Sequence, residues 1–255
     1  MMDDQTQPLT EHLAELRKRI IWVLIFFFIF LVVGFLYAGS IIEWVKKDVP
    51  DNISFHIFSP GEAFRIYMGS AFLIAVIFTL PVALWHIWRF VEPGLRPRER
   101  QVTLSYIPLA ILLFFGGLLF AYKVIFPYVI GFSANLTREL GAQETYGLYD
   151  YFRFMFNIVF PIAFLFELPI LVMFLTRLSI ITPAFLQKAR RFAYLALVVF
   201  STLISPPDIV TNILIALPMI VLYEISVVIC MWVYRRMQRE AEVEMEKNDD
   251  SEPTA

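Results

Sequence analysis

Three stretches, 20–42, 66–88 and 101–122, contain no ionised side chain and are apolar almost throughout. At ~1.5 Å of rise per residue, each is long enough as a helix to cross ~30 Å of hydrocarbon. Inside lipid a backbone must satisfy its own hydrogen bonds, so runs of this kind are restricted to helix unless they close into a barrel. The chain is 59% hydrophobic and 17% charged, where a soluble domain is nearer half and a quarter. The excess lies in the long runs, so this is an all-α, polytopic membrane protein rather than a large soluble core.

Further runs complete a set of six spans. Residues 154–176 form a fourth, interrupted only by Glu167; 192–204 is a short fifth, and 209–226 a sixth that ends near Glu224. The last two are expected to be short. The membrane domain then covers 1–234, and the charged tail 235–255 is expected to be disordered. No repeat is visible. The first apolar run is too long for the core of a signal peptide and lacks a small-residue cleavage site.

Fifteen of the 21 Lys and Arg residues fall in the N-terminus, the 89–100 and 177–191 loops and the tail. The alternate loops hold six, which puts both termini and the two basic loops on the cytoplasmic side. Local signals fix the connections. "SPGE" at 59–62 reads as a capping box, "TP" at 182–183 as a helix start, and Asp208 in "SPPD" as the cap of the sixth span. Pro81, Pro108, Pro161, Pro169 and Pro218 lie within spans, where each is expected to bend its helix.

Enzymatic signatures are missing. The chain has no P-loop, no H-E-x-x-H and no G-x-S-x-G. His12, His56 and His86 are far apart, and Cys230 is the single cysteine. "YD" at 149–150 has no second intramembrane aspartate to make a protease pair. No cofactor, no metal and no nucleic acid are expected, and the chain is not read as an enzyme.

Three carboxylates stand out instead. Glu167 lies within a span, where an ionised acid costs ~2.5–3.5 kcal/mol; it is either a packed, hydrogen-bonded residue or a polar spot that meets a partner or a proton. Glu15 precedes the first span and has Arg19 at i+4, a possible local pair. Glu99 sits among four arginines in "RFVEPGLRPRERQ" at 89–101. Glu15 and Glu99 each have a bland reading, the first as a paired acid and the second as a solvated one.

"PLTEHLAELRKR" at 8–19, "IWRFVEPGLRPRERQ" at 87–101, "FAYKVIFP" at 120–127, "FELPI" at 166–170, "ITP" at 181–183, "SPPD" at 205–208 and "IALPMIVLYEIS" at 215–226 resemble the TatC family. That family is the multispanning receptor subunit of the twin-arginine protein translocase. The resemblance implies recognition of twin-arginine signal peptides and export of folded proteins across a prokaryotic plasma membrane with the proton-motive force. It also implies assembly with TatA- and TatB-type single-span partners and self-association in a multimeric receptor. By position, Glu15 and Glu99 match the signal-binding acids, supported by Arg17, Phe90, Pro93 and Arg100. Carboxylates suit a pair of guanidinium forks in a way that lysine does not reproduce. Glu167 matches a polar residue of the membrane-embedded face. Thr202, Ser205, Asp208 and Asn212 match the region where partner helices dock, with Asn212 standing where a longer glutamine is common. A secondary transporter using Glu167 would instead predict an inverted repeat, and a bare scaffold would tolerate loss of Glu15 and Glu99.

Overall fold

The computed structural model describes residues 9–49, 54–94, 100, 104–141, 145–204 and 208–249. Apart from two three-residue strands, its regular structure is helical. Two compact units emerge, one from Met1–Ile107 with Ala134–Phe156, the other from Pro108–Ser133 with Asn157–Ala255.

In the first unit, helices α1 (Leu9–Lys47) and α2 (Pro60–Val91) pack as an antiparallel hairpin. Small residues allow the backbones to approach. A Cβ added to Gly34 would lie 2.7 Å from the Ala71 carbonyl oxygen, so a side chain there would push the helices apart. Aromatic pairs fill the flanks, Phe27 with Phe72, Phe30 with Phe78, and Phe35 with both Phe64 and Tyr67. The other face of α1 leaves Leu24, Phe28, Val32 and Leu36 exposed, as expected of a helix whose solvent is lipid. Strand β1 (Ser54–His56) pairs in parallel with β2 (Thr145–Gly147), Phe55 opposite Tyr146.

α2 starts where "SPGE" predicts, but the box is only half built. Ser59 occupies the N-cap without a side-chain cap bond. Glu62 reaches back instead to the Phe58 N–H, at 3.0 Å, one residue before the cap. Proline at the first turn already removes one donor, so the serine has less to satisfy.

The third run departs more. Helix α3 (Tyr106–Phe120) passes into a π-turn, Ala121–Ile125, and on into α4 (Phe126–Glu139), well past the expected end at Tyr122. Pro127 follows directly; it has no N–H for the carbonyl four residues back, and widening the turn is the usual way to absorb that mismatch. Pro108 sits in the first turn of α3, just after a turn at Ser105 that separates it from helix at Leu104, the residue whose carbonyl Pro108 cannot bond.

Helix α5 (Leu148–Leu165) contributes to both units, and its end lies in the second. There the ladder stops at Phe166–Glu167 and restarts as α6 (Leu168–Arg177), with Pro169 in its first turn. Pro169 therefore follows an interruption within the run Leu148–Arg177, whereas Pro81, Pro161 and Pro218 are interior to their helices. Helices α7 (Pro183–Ile204) and α8 (Ile209–Asp249) complete the unit, with α8 packed on both α6 and α7. Ile158, Ile162, Ile215, Met219 and Val227 are fully buried in it.

Two expectations from the tail are corrected. The last helix is not short, and it does not give way to disorder at Arg235; it continues to Asp249. Beyond the apolar part, Glu240 receives hydrogen bonds from Arg236 at 2.9 Å, one turn back, and from Arg177 on α6 at 3.3 Å. That ties the extension to a buried arginine. By length and composition five described helices can cross a membrane, namely Leu13–Lys47, Pro60–Val91, Tyr106–Glu139, Leu148–Arg177 and Ile209–Glu240. α7 is not among them, because Lys188, Arg190 and Arg191 occupy its first half.

Candidate functional site

The start of α1 and the end of α2 lie at the same end of the hairpin. Glu15 is half-buried and accepts a hydrogen bond from the Arg19 guanidinium one turn on. Arg17, two residues along, is exposed, as the helical period requires for a residue that cannot share Glu15's face. Arg19 is close enough to His86 on α2 for its charge to be felt there. Trp85 and Trp88 stack near that end with ring centres 5.3 Å apart, and Trp88 is buried. Phe90 is half-buried in the last turn of α2.

The loop after α2 opens with a 3-10 turn, Glu92–Gly94, in which Pro93 is exposed. Glu92 caps α2 through its N–H to the Trp88 carbonyl, and its carboxylate accepts Arg100 Nε at 3.2 Å with Arg89 Nε at 4.0 Å. Glu92 is the residue that sequence reasoning passed over. The clue was present, since two glutamates share the arginine-rich stretch, but its loop partner is eight positions away and no local spacing announces it. Glu99 lies outside the described residues. Glu15, Arg17, Phe90, Pro93 and Arg100 all belong to one unit, which also holds the Glu15–Arg19 and Glu92–Arg100 pairs.

In the second unit Glu167 caps α6 without a side-chain bond to it. Its Oε1 is shielded from solvent and has no hydrogen-bond partner among the described residues. The neighbouring Phe166 presses on Gly117, where an added Cβ would lie 2.6 Å from the ring. Phe120 packs on Phe166 with ring centres 5.5 Å apart. The shielded oxygen thus lies in an interruption of the helix, next in sequence to a phenylalanine packed on Gly117 and Phe120.

At the junction of α7 and α8, Asn212 accepts a hydrogen bond from Ser201, and Asp208 caps α8 by accepting the Thr211 N–H at 2.6 Å. Thr202 is exposed and back-bonds to Val198 at 2.8 Å. Ser205 lies outside the described residues. Further along the same helices, Glu224 is held by Arg190 at 2.9 Å and by the Tyr194 hydroxyl. Glu224, expected near the end of the sixth span, is thus paired.

Five described helices are long and apolar enough to cross a membrane, and carboxylates at Glu15, Glu92 and Glu224 are held by arginines, which describes a membrane protein. Comparison with known proteins makes the class specific. Residues 11–218 match the family described as Sec-independent protein translocase protein (TatC). The chain is 40% identical over 232 residues to the Sec-independent protein translocase protein TatCy of Bacillus subtilis, covering 91% of each. It is 31% identical to the Escherichia coli K12 TatC over 231 residues, 89% of each chain. A crystal structure titled as the twin arginine translocase receptor TatC superposes with a TM-score of 0.78 at 30% identity, covering 87% of this chain and 99% of that one. The chain belongs to the TatC family and is a subunit of the twin-arginine translocation system.

Proposed function

We propose that this chain is the signal-peptide receptor of that system, spanning the plasma membrane six times with both termini in the cytoplasm. α7 supplies the sixth crossing, a short one that needs local thinning of the bilayer or cover from neighbouring helices. The Lys and Arg bias between runs supports the orientation. Glu15 and Glu99 receive the two arginines of the signal, with Arg17, Phe90, Pro93 and Arg100 shaping the surface around them. TatA- and TatB-type helices dock near Thr202, Ser205, Asp208 and Asn212, copies of the chain assemble, and the proton-motive force drives export.

One observation carries the reading. Glu15 is a half-buried carboxylate at the edge of an apolar span, already bonded to a guanidinium. The chemistry it performs on its own chain is the chemistry a twin-arginine guest requires. The test is binding of a twin-arginine signal peptide to the purified protein, against a twin-lysine version. Glu15→Gln and Glu99→Gln should each weaken the first by roughly tenfold, about 1.4 kcal/mol for a lost charge-assisted bond. Equal binding of both peptides, untouched by either change, would remove the receptor role.

A further inference from the structure

We propose that a cleft between the start of α7 and the far part of α8 binds the phosphate of an anionic membrane phospholipid at the inner surface. This rests on the six-span reading, which brings that end of α8 to the cytoplasmic face. The cleft measures about 420 Å³, and Thr182, Ala184, Gln187, Tyr234, Arg235 and Gln238 line it. That size is typical of small-ligand sites. It lies within the second unit, where α7 packs on α8.

The lining is a set of hydrogen-bond donors around a cation, with no carboxylate among its described residues. Arg235 is exposed and makes no ion pair among the described residues. The arginines around it are committed. Arg236 bonds Glu240 at 2.9 Å, Arg177 bonds the same carboxylate at 3.3 Å, and Arg190 holds Glu224. Gln187 donates its side-chain amide to the Met231 thioether at 3.6 Å, a weak acceptor that a better one can replace. Thr182 accepts the Phe185 N–H at 3.3 Å, which leaves its own hydroxyl proton to donate. The Ala184 N–H has no partner among the described residues. A phosphate takes donors from several sides at once and accepts a guanidinium fork on two oxygens.

The surface leading to the cleft points to a lipid as the carrier of that phosphate. Exposed apolar side chains run along α8 from Ile213 through Leu217, Val221, Ile225 and Val228 to Trp232. Steps of three and four residues keep them on one stripe. Ile209 to Trp232 is about 34 Å of helix, against ~30 Å of hydrocarbon. Trp232 therefore reaches the inner interface, where tryptophan is favoured, and Arg235 follows at headgroup depth. Phe185, next to Ala184 on α7, is exposed as well. A soluble phosphate has no use for such apolar flanks. An anionic phospholipid uses both parts, acyl chains along the stripe and phosphate on Arg235.

The experiment is native mass spectrometry of the full chain in detergent, titrated with phosphatidylglycerol or with phosphatidylcholine. The proteins are the wild type, Arg235→Gln, Arg235→Lys and, as a charge control on α1, Lys47→Gln. The wild type should retain phosphatidylglycerol in preference to phosphatidylcholine. Arg235→Gln should weaken phosphatidylglycerol roughly fivefold, the equivalent of about 1 kcal/mol for one arginine at an anionic surface. Arg235→Lys, which keeps the charge and discards the fork, should fall between, and Lys47→Gln should match the wild type. If Arg235→Gln retains phosphatidylglycerol as the wild type does, or Lys47→Gln weakens it equally, the site is overturned. Inorganic phosphate that binds the wild type and is lost in Arg235→Gln, with phosphatidylglycerol retention unmoved, makes it a soluble-phosphate site and overturns the lipid. The membrane side is read separately, from Gln238→Cys in a Cys230→Ala chain treated with an impermeant maleimide. Labelling in inverted vesicles but not in intact cells keeps the cleft at the inner surface. The reverse pattern removes the six-span orientation, while the detergent titration still decides whether the cleft holds a headgroup.

Discussion

Glu15 and Glu167 solve opposite problems with the same side chain. Glu15 stands at the end of a span, has a guanidinium one turn away, and belongs to a continuous helix. Glu167 stands in a break between two helices, with a shielded oxygen that no described group bonds. Glu92 and Glu224 side with Glu15, each held by arginine. A paired carboxylate can be half-buried at little cost, whereas an unpaired one shielded from water lowers stability and persists only where something else requires it. The contrast separates carboxylates held by arginine from one that is shielded without a partner among the described residues.

The comparison can be broken most forcefully at Gly117. Gly117→Val would drive a side chain into Phe166 and is expected to cost about 1–3 kcal/mol through overpacking; a lower unfolding midpoint in detergent checks this. An unchanged midpoint would mean that Phe166 yields freely. Glu167→Leu should act the other way, stabilising the fold by about 1–2 kcal/mol as the unbonded oxygen disappears, while export in membrane vesicles falls. A variant that is both stable and fully active would place Glu167 with the purely structural residues.

Asp208→Ala removes a helix cap and is expected to cost about 1 kcal/mol, read as faster hydrogen exchange in the first turn of α8. The smallest effect belongs to Glu15→Gln. Its pair with Arg19 is worth a few tenths of a kcal/mol to folding, so the thermal midpoint should barely move while signal-peptide binding drops. A large loss of stability there would recast Glu15 as a packing residue.

Features governed by a few adjacent residues were legible in the sequence. Pro60 starts α2 as predicted, Thr182 accepts the Phe185 N–H at 3.3 Å ahead of α7, and Asp208 caps α8. The apolar runs mark where most helices lie because lipid leaves the backbone few choices. What depends on distant partners was hidden. The helical tail needs Arg177 on another helix, 63 positions before Glu240. The π-turn needs the conflict between Pro127 and the turn before it, which a hydropathy profile does not register. Of the site, the Glu15–Arg19 pair could be read from its spacing; the Glu92–Arg100 contact, formed across a loop, could not.

The close approach at Gly34 also has a mechanical meaning. α1 is 39 residues long, so as one rod it measures about 58 Å. Where it crosses Ala71 it has no room to slide inward, which makes that crossing a fulcrum. Glu15 lies about 28 Å along the rod to one side, and Lys47 about 20 Å to the other. A tilt that carries Glu15 by about 3 Å swings Lys47 by about 2 Å the opposite way. Were α1 to tilt there as one rod, a displacement at either end would be matched by an opposite one at the other.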